Sequence, residues 1–153
     1  MIRKFVCVNS GLFAVAGIAL SVAACTGSAL APTSTDSSTT ASAASIAAGP
    51  WQLQALTRSD SSTVVVAEPE RFTLEFVSGE RLSIKADCNR ASGGYGLSGA
   101  TLTVGPLAST KAYCSSAPFD DEYLGLLGGE NAASVTATTL VLSSPRGALR
   151  FGR

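Results

Sequence analysis

Apolar and polar residues alternate along much of residues 51–153, and this period of two commits that part of the chain to β-structure. Successive side chains of a strand point to opposite faces of a sheet, so the alternation gives each strand one face to bury. The clearest example is residues 72–86, where two alternating runs flank the turn residues Ser78, Gly79 and Glu80. The apolar positions of the two runs are Phe72, Leu74, Phe76, Leu82, Ile84 and Ala86. This segment therefore predicts an antiparallel β-hairpin.

The same pattern predicts further strands on either side of that hairpin. An opening strand is expected at residues 51–57, a second hairpin turns at Ser98 and Gly99, and a third turns within residues 144–147. Each turn carries glycine, proline or serine, which adopt the tight backbone conformations that hairpins require. The other glycines of the GGYGLSG stretch also predict turns, including one at Gly93 and Gly94.

One segment departs from the period of two. Residues 115–129 place apolar side chains at helical spacing, with Ser116 as the expected N-cap, Pro118 in the first turn and Gly128 and Gly129 at the end. The whole pattern predicts an α+β fold that is mostly antiparallel β, with about eight short strands and one helix packed on the sheet.

The N-terminal 24 residues have the pattern of a bacterial lipoprotein signal peptide. Arg3 and Lys4 precede an apolar run at residues 11–24, and the run ends in the sequence Val-Ala-Ala before Cys25. This ending is similar to the lipobox, in which the chain is cut before a cysteine that receives a lipid. We predict export, cleavage before Cys25 and a lipid on Cys25 that anchors the chain to the cell-envelope membrane, with the domain on the extracytoplasmic side.

Two alternatives for the N-terminus remain. One is ordinary cleavage after Ala31, although Pro32 would then follow the cut. The other is an uncleaved anchor, for which the apolar run is short because a membrane span needs roughly 20 apolar residues. Residues 25–49 are rich in Ser, Thr and Ala and predict a flexible tether that starts with the lipidated cysteine. The folded domain is expected to cover residues 50–153.

Composition limits the functions that this chain can have. The sequence contains no histidine, which excludes Ser-His-Asp and Cys-His catalysis and every zinc site built on imidazole. Its 11 basic and 11 acidic residues are scattered, so nucleic-acid binding is not expected. The signal peptide would remove two of the basic residues, and membrane attachment would then depend on the lipid rather than on charge. We predict a non-enzymatic protein without a cofactor or a metal.

Two cysteines, Cys88 and Cys114, fall within the predicted domain. In an exported protein a pair of domain cysteines favours a disulfide. Free thiols and a metal site are the alternatives, although the spacing matches neither a C-x-x-C redox motif nor a full set of metal ligands.

Residues 87–95, DCNRASGGY, resemble the G-C-N-x-F-x-G-x-Y signature of META domains, the HslJ-like family of envelope proteins. Residues 110–114, TKAYC, resemble the T-[RK]-x-x-C segment of the same family, and the likeness extends over residues 50–153. The signature residues in this chain are Asn89, Gly93, Tyr95, Thr110 and Lys111.

The chain also departs from the family pattern. Asp87 replaces the usual glycine, Ala91 replaces an aromatic residue, and Ala112 and Tyr113 stand where Met-Ala is common. The resemblance implies a small β-rich domain, often exported or lipid-anchored and in some members linked to heat or antibiotic stress. It implies no catalytic activity.

Three groups of polar residues are candidate sites, each with a structural alternative. Asn89 is expected to hydrogen-bond the backbone of the Gly93 and Gly94 turn, or to contact a ligand. The acidic run at residues 120–122 either complements the helix dipole or forms a metal or acid/base site. Arg90 and Lys111 are either solvated surface charges or a small anion-binding spot.

The sequence therefore predicts a monomeric envelope lipoprotein that recognises another envelope protein or maintains the envelope under stress. Residues 90–95 and 111–113 form the surface expected to make the contact. The alternative is a module that binds a lipid or metabolite between sheet and helix, and an enzyme that uses the carboxylates of residues 120–122 is a third hypothesis.

Overall fold

Eight antiparallel strands close into a barrel in the computed structural model of the chain, which describes residues 39–40, 42–114 and 119–153. The predicted signal peptide, Cys25, most of the tether, Ser116 and Pro118 lie outside the described residues. The elements in chain order are β1 (Thr39–Thr40), α1 (Ala43–Ile46), β2 (Trp51–Arg58), β3 (Thr63–Val65), a 3-10 helix (Pro69–Arg71), β4 (Phe72–Val77), β5 (Arg81–Ala86), β6 (Asn89–Ser98), β7 (Thr101–Val104), β8 (Ala108–Ser109), α2 (Asp120–Leu127), β9 (Gly129–Val135), β10 (Thr139–Ser144) and β11 (Gly147–Gly152).

The barrel strands follow the order β9, β10, β11, β2, β4, β5, β6 and β7, and β7 pairs with β9 to complete the circle. The closing pairs run from Thr101 opposite Ala132 to Val104 opposite Gly129. Three short strands are added outside this path, β1 on β9, β3 on β2 and β8 on β6. The predicted fold class, mostly antiparallel β with about eight strands and one principal helix, is confirmed. The closure into a barrel was not predicted.

The three predicted hairpins are present as β4–β5, β6–β7 and β10–β11. Their registers place apolar residues opposite each other, such as Leu74 with Ile84 and Leu142 with Leu149. Because of the alternating pattern, one row of apolar side chains on each strand points into the barrel interior. The predicted turn at Gly93 and Gly94 is wrong, because both residues lie within the ten-residue strand β6.

Side chains fill the interior of the barrel. Trp51 and Phe151 are fully buried, and so is Tyr123, which α2 contributes. The Tyr123 ring lies 6.0 Å from that of Phe72 and 6.2 Å from that of Phe151, and its hydroxyl donates a hydrogen bond to the backbone oxygen of Thr73 at 3.3 Å. Burial raises the pKa of the Tyr123 phenol because the ionised form would lose its hydration.

The helix α2 begins at Asp120, with Phe119 as its N-cap residue, and ends before Gly128, as the glycine pair predicted. It packs against β5 and β11 through an apolar face that comprises Tyr123, Leu124, Leu126 and Leu127. Among the described residues, no helix is long and apolar enough to cross a membrane.

The folded part of the chain begins earlier than the predicted boundary at residue 50. The last residue of α1, Ile46, is 1% exposed and belongs to the core. Its backbone oxygen accepts a 2.7 Å hydrogen bond from the indole Nε1 of Trp51, the first residue of β2. A single isoleucine in an Ala/Ser-rich stretch carries no periodic signal, so the pattern of residues 42–49 did not predict this docking.

A chain that starts at Pro50 should therefore be less stable than one that starts at Ser42. Loss of the buried Ile46 side chain is expected to lower the free energy of unfolding by about 2–4 kcal/mol, measured by urea unfolding monitored through Trp51 fluorescence. Ile46→Ala in the longer chain should reproduce most of that loss, whereas Ile46→Val should cost only about 1 kcal/mol. Equal stabilities of the two chains would contradict the assignment of Ile46 to the core.

Candidate functional site

The family signature residues meet where the start of β6, residues 110–114 and the first turn of α2 come together. Residues 110–114 form an irregular segment, called here the 110–114 loop. Asn89 is 2% exposed at the centre of this region. Its side-chain oxygen accepts hydrogen bonds from the hydroxyl of Thr110 at 2.9 Å and from the backbone N–H of Ala112 at 2.8 Å.

The amide nitrogen of Asn89 is also engaged. It donates to the backbone oxygen of Ala112 at 3.1 Å, to a carboxylate oxygen of Asp120 at 3.0 Å and to the sulfur of Cys114 at 3.3 Å. A primary amide has two hydrogens and two acceptor lone pairs, so the three acceptors share the two hydrogens and the side chain is fully used. The prediction of a structural role for Asn89 named the wrong partner: its amide links the 110–114 loop to α2 rather than bracing a glycine turn.

Thr110 and Cys114 fix the two ends of the 110–114 loop. The Thr110 hydroxyl accepts a 3.0 Å hydrogen bond from the backbone N–H of Arg90, and its own N–H donates to the Arg90 oxygen at 3.0 Å. At the other end, the predicted disulfide joins Cys88 to Cys114, with 5.7 Å between their Cα atoms. The loop is therefore held at its first, third and fifth residues.

The two residues between β5 and β6 are Asp87 and Cys88. Asp87 has a φ of +58°, in the left-handed region that favours glycine. This conformation explains why the family pattern has glycine here. Asp87 is 2% exposed, and its carboxylate forms an ion pair with the guanidinium of Arg71. That contact and a 2.8 Å hydrogen bond from the Asp87 N–H to the Arg71 oxygen hold the turn.

Asp87, Cys88 and Cys114 are the described residues that come nearest to a metal-ligand set, with one ligand atom from each lying within 4.8 Å of the others. Metal binding by cysteine requires the thiolate. The two sulfurs are bonded to each other instead, so this arrangement is a disulfide beside an ion pair.

Gly93 and Tyr95 have packing roles within β6. A Cβ on Gly93 would lie 2.7 Å from the Leu107 side chain and 3.0 Å from the Pro106 oxygen, so only glycine lets residues 106–107 approach the strand this closely. The half-buried ring of Tyr95 meets the ring of Phe76 edge-on, at 5.1 Å between centroids.

The three acidic residues at the start of α2 point to three different partners. Asp120 accepts from Asn89, Asp121 forms an ion pair with Lys111, and Glu122 forms a two-point ion pair with Arg58 at 2.6 and 2.8 Å. The hydrogen bond to Glu122 raises the pKa of Arg58, and the hydrogen bond to Asp121 raises that of Lys111. The carboxylates do not converge, which contradicts a metal or acid/base site built from these three residues.

The pairing of Lys111 also argues against the alternative of an anion-binding spot shared with Arg90. Asp121 neutralises the Lys111 ammonium at an exposed position, so Lys111 does not add its charge to that of Arg90. Next to this ion pair, the side chain of Tyr113 is 97% exposed. Two shallow depressions flank the pair. One, of about 360 Å³, includes Tyr113 and Cys114, and the other, of about 660 Å³, runs along α2 and is lined by Val104, Pro106, Leu107 and Leu124.

Comparisons with known proteins identify a family and a fold. The META domain family model matches residues 44–153. The search of curated proteins finds no match. An NMR structure of a protein from Burkholderia xenovorans is similar at a TM-score of 0.58 and 24% identity, covering 80% of this chain and 98% of that one.

Two further solved structures are similar. A second NMR structure has a TM-score of 0.53 at 22% identity and covers 70% of this chain and 90% of that one. A crystal structure of a lipocalin-like protein from Bacteroides uniformis has a TM-score of 0.48 at 22% identity and covers 70% of this chain and 97% of that one. At these identities the first two structures support the fold alone.

Replacing Asn89 should loosen the 110–114 loop. Asn89→Ala leaves the Ala112 backbone groups and the Asp120 carboxylate without their buried partner, and we expect a loss of about 3 kcal/mol in unfolding free energy. The specific readout is hydrogen exchange of the Ala112 amide, which should become fast. The matched control is Asn131→Ala, because Asn131 is equally buried but bonds the backbone oxygens of Leu127 and Gly129. Unchanged protection of Ala112 in Asn89→Ala would refute this role.

The disulfide should contribute substantially to stability. The 26-residue separation of its cysteines corresponds to about 3.5 kcal/mol on the chain-entropy account. A thiol reductant should lower the urea midpoint of the natural chain and leave that of a Cys88→Ala/Cys114→Ala variant unchanged. A reductant effect of equal size in both proteins would show that the stabilisation has another origin.

Proposed function

The chain belongs to the META domain family, and from this premise we propose that it is a non-enzymatic cell-envelope lipoprotein whose domain recognises another envelope protein. The observation that carries the proposal is Tyr113, a large aromatic side chain that is 97% exposed on a loop held at both ends. The 110–114 loop and its surroundings are the contact surface in this proposal.

The combination of exposure and a fixed loop favours recognition. Tyrosine is enriched at protein interfaces because its ring supplies a large contact area and its hydroxyl can form a hydrogen bond. Binding costs free energy when it orders a mobile segment. The Asn89 hydrogen bonds and the Cys88–Cys114 disulfide order the 110–114 loop before any partner arrives, so little of that cost remains.

The neighbouring surface suits a protein partner. The exposed Lys111–Asp121 ion pair provides a polar rim, and the depression of about 660 Å³ beyond it offers the apolar side chains of Leu107 and Leu124. Aromatic anchors beside apolar depressions with a polar rim are typical of protein interfaces. The mixed charges of this surface do not form the basic patch that nucleic acid requires.

A lipid on Cys25 would complete the proposal. The tether between Cys25 and the domain would confine the 110–114 loop to a layer close to the membrane, which raises its effective concentration for partners held there. An envelope role under heat or antibiotic stress rests on the family resemblance.

The alternative, a module that binds a lipid or metabolite inside the barrel, is disfavoured by the packing. Trp51, Phe72, Tyr123 and Phe151 occupy the interior and are at most 2% exposed. Eight-stranded barrels have room for either packed side chains or one small ligand, and this barrel holds side chains. A small ligand would have to use a surface depression instead.

Tyr113→Ala should weaken partner binding without destabilising the fold. Loss of an aromatic anchor at an interface is expected to cost about 2 kcal/mol, or roughly 30-fold in affinity. The partner would first be captured by crosslinking in intact cells, with natural and Cys25→Ala chains compared, and its affinity for the purified variants then measured. The urea midpoint of Tyr113→Ala should equal that of the natural chain.

Tyr95→Ala is the matched control. Its half-buried ring packs on Phe76, so this variant should lose stability more than affinity. Equal affinities of the Tyr113→Ala and natural chains would exclude the 110–114 loop as the contact surface. Capture that is unchanged by Cys25→Ala would argue against the anchor.

A further inference from the structure

The outer face of β5 and β6 carries an arrangement of side chains that the proposed function does not use. Lys85 of β5 stands directly opposite Arg90 of β6, and the next outward pair is Ser83 opposite Ser92. These four residues point away from the core, because Ile84, Ala86 and Ala91, which alternate with them, are buried. We propose that this face binds an oxyanion, a phosphate or sulfate group, between Lys85 and Arg90.

Lys85 and Arg90 are direct cross-strand neighbours. Directly opposite residues of an antiparallel pair have Cβ atoms about 4.5–5.5 Å apart, and like charges in that position are destabilising. In the described part of the chain, the ion pairs use Arg58, Arg71 and Lys111, and neither Lys85 nor Arg90 takes part in one. A bound anion would convert this repulsion into two attractions.

Both cations retain free donors. The Lys85 ammonium donates to the backbone oxygen of Glu70 at 3.2 Å, which uses one of its three hydrogens. The Arg90 guanidinium makes no hydrogen bond to the residues that the structure describes, and Arg90 is exposed. A guanidinium presents parallel N–H groups that match two oxygens of a phosphate or sulfate, and an ammonium adds a point charge.

The surface next to Arg90 is concave. A shallow groove of about 460 Å³ is lined by Ser83, Arg90 and Ser92 on the two strands and by Ala108, Ser109 and Thr110 across β6. The hydroxyls of Ser83 and Ser92 have no hydrogen bond within the described ranges and are neutral donors for the remaining oxygens of the ligand.

One carboxylate limits the affinity. Glu75 of β4 stands opposite Ser83, on the side away from Ser92, and is exposed. Its negative charge opposes an anion at this position, but it forms no ion pair with Lys85 within the described residues. For free inorganic phosphate we expect a dissociation constant on the order of 1 mM.

The first test is a titration of the isotope-labelled full-length chain, carrying Cys25→Ala, with inorganic phosphate at constant ionic strength. The amide resonances of Ser83, Arg90 and Ser92 should shift in a saturable way. Lys85→Gln combined with Arg90→Gln should abolish the saturation. Glu75→Gln should tighten binding by about threefold, because it removes the opposing charge.

The control is Arg150→Gln, since Arg150 is an exposed arginine on the outer face of β11, between Ala55 of β2 and Val141 of β10. It should leave the phosphate titration unchanged. Shifts that do not saturate, or that persist when Lys85 and Arg90 are both replaced, would overturn the proposal.

A second measurement identifies the source of the oxyanion. Flotation of the same full-length chain with vesicles of phosphatidylcholine, alone or mixed with phosphatidylglycerol, tests for a lipid headgroup. A preference for the anionic vesicles that disappears with Lys85→Gln and Arg90→Gln would support a headgroup ligand. Saturable phosphate binding without that preference would support a soluble phosphate or sulfate compound. Tyr113 does not line this groove, so failure of the phosphate titration would leave the proposed protein contact standing.

Discussion

Pairing between β7 and β9 is the constraint on which the rest of the structure depends. Without it the eight strands would form an open sheet with two long edges and one face exposed to solvent. With it the apolar rows of all eight strands face a common interior of buried side chains. An eight-stranded barrel has an interior just wide enough for side chains to fill, and the large residues Trp51, Tyr123 and Phe151 fill this one. The interior is therefore used for stability, and any ligand or partner would have to bind on the outside.

The 110–114 loop shows how a buried polar group can organise an exposed surface. The Asn89 amide would cost free energy if it were buried without partners, and its complete set of hydrogen bonds removes that penalty only when the loop and α2 take one arrangement. The disulfide also restrains this loop, because it joins Cys114 to Cys88, which lies between β5 and β6. Together they determine where Tyr113 stands, although Tyr113 itself contributes little to the fold.

Features encoded within one short segment could be predicted from the sequence. The hairpin β4–β5 follows from alternation around a glycine turn, and the end of α2 follows from Gly128 and Gly129. The cysteine pairing followed from the expected oxidising compartment rather than from any local pattern.

What could not be predicted depends on contacts between distant segments. The strand β9, with the sequence GENAASV, has few of the β-branched and aromatic residues that mark strands, and its partner β7 lies about thirty residues away in the chain. The partners of Asn89 are 21 to 31 residues away. Helical rotation directs the side chains of Asp120, Asp121 and Glu122 apart. Their three partners lie on other segments of the chain, so only the fold shows which residue each carboxylate contacts.

Three of the positions at which the chain departs from the family pattern divide into two physical kinds. Asp87 keeps the left-handed turn that glycine would adopt without strain, and its ion pair with Arg71 offsets part of the cost. Ala112 and Tyr113 are exposed, and the backbone of Ala112, not its side chain, makes the bonds to Asn89. Substitution at these two exposed positions leaves the Asn89 hydrogen bonds intact. A loop built in this way lets the side chain at position 113 vary while its position in space stays the same. In the proposed contact, the choice of partner would therefore depend on residue 113 rather than on the family fold.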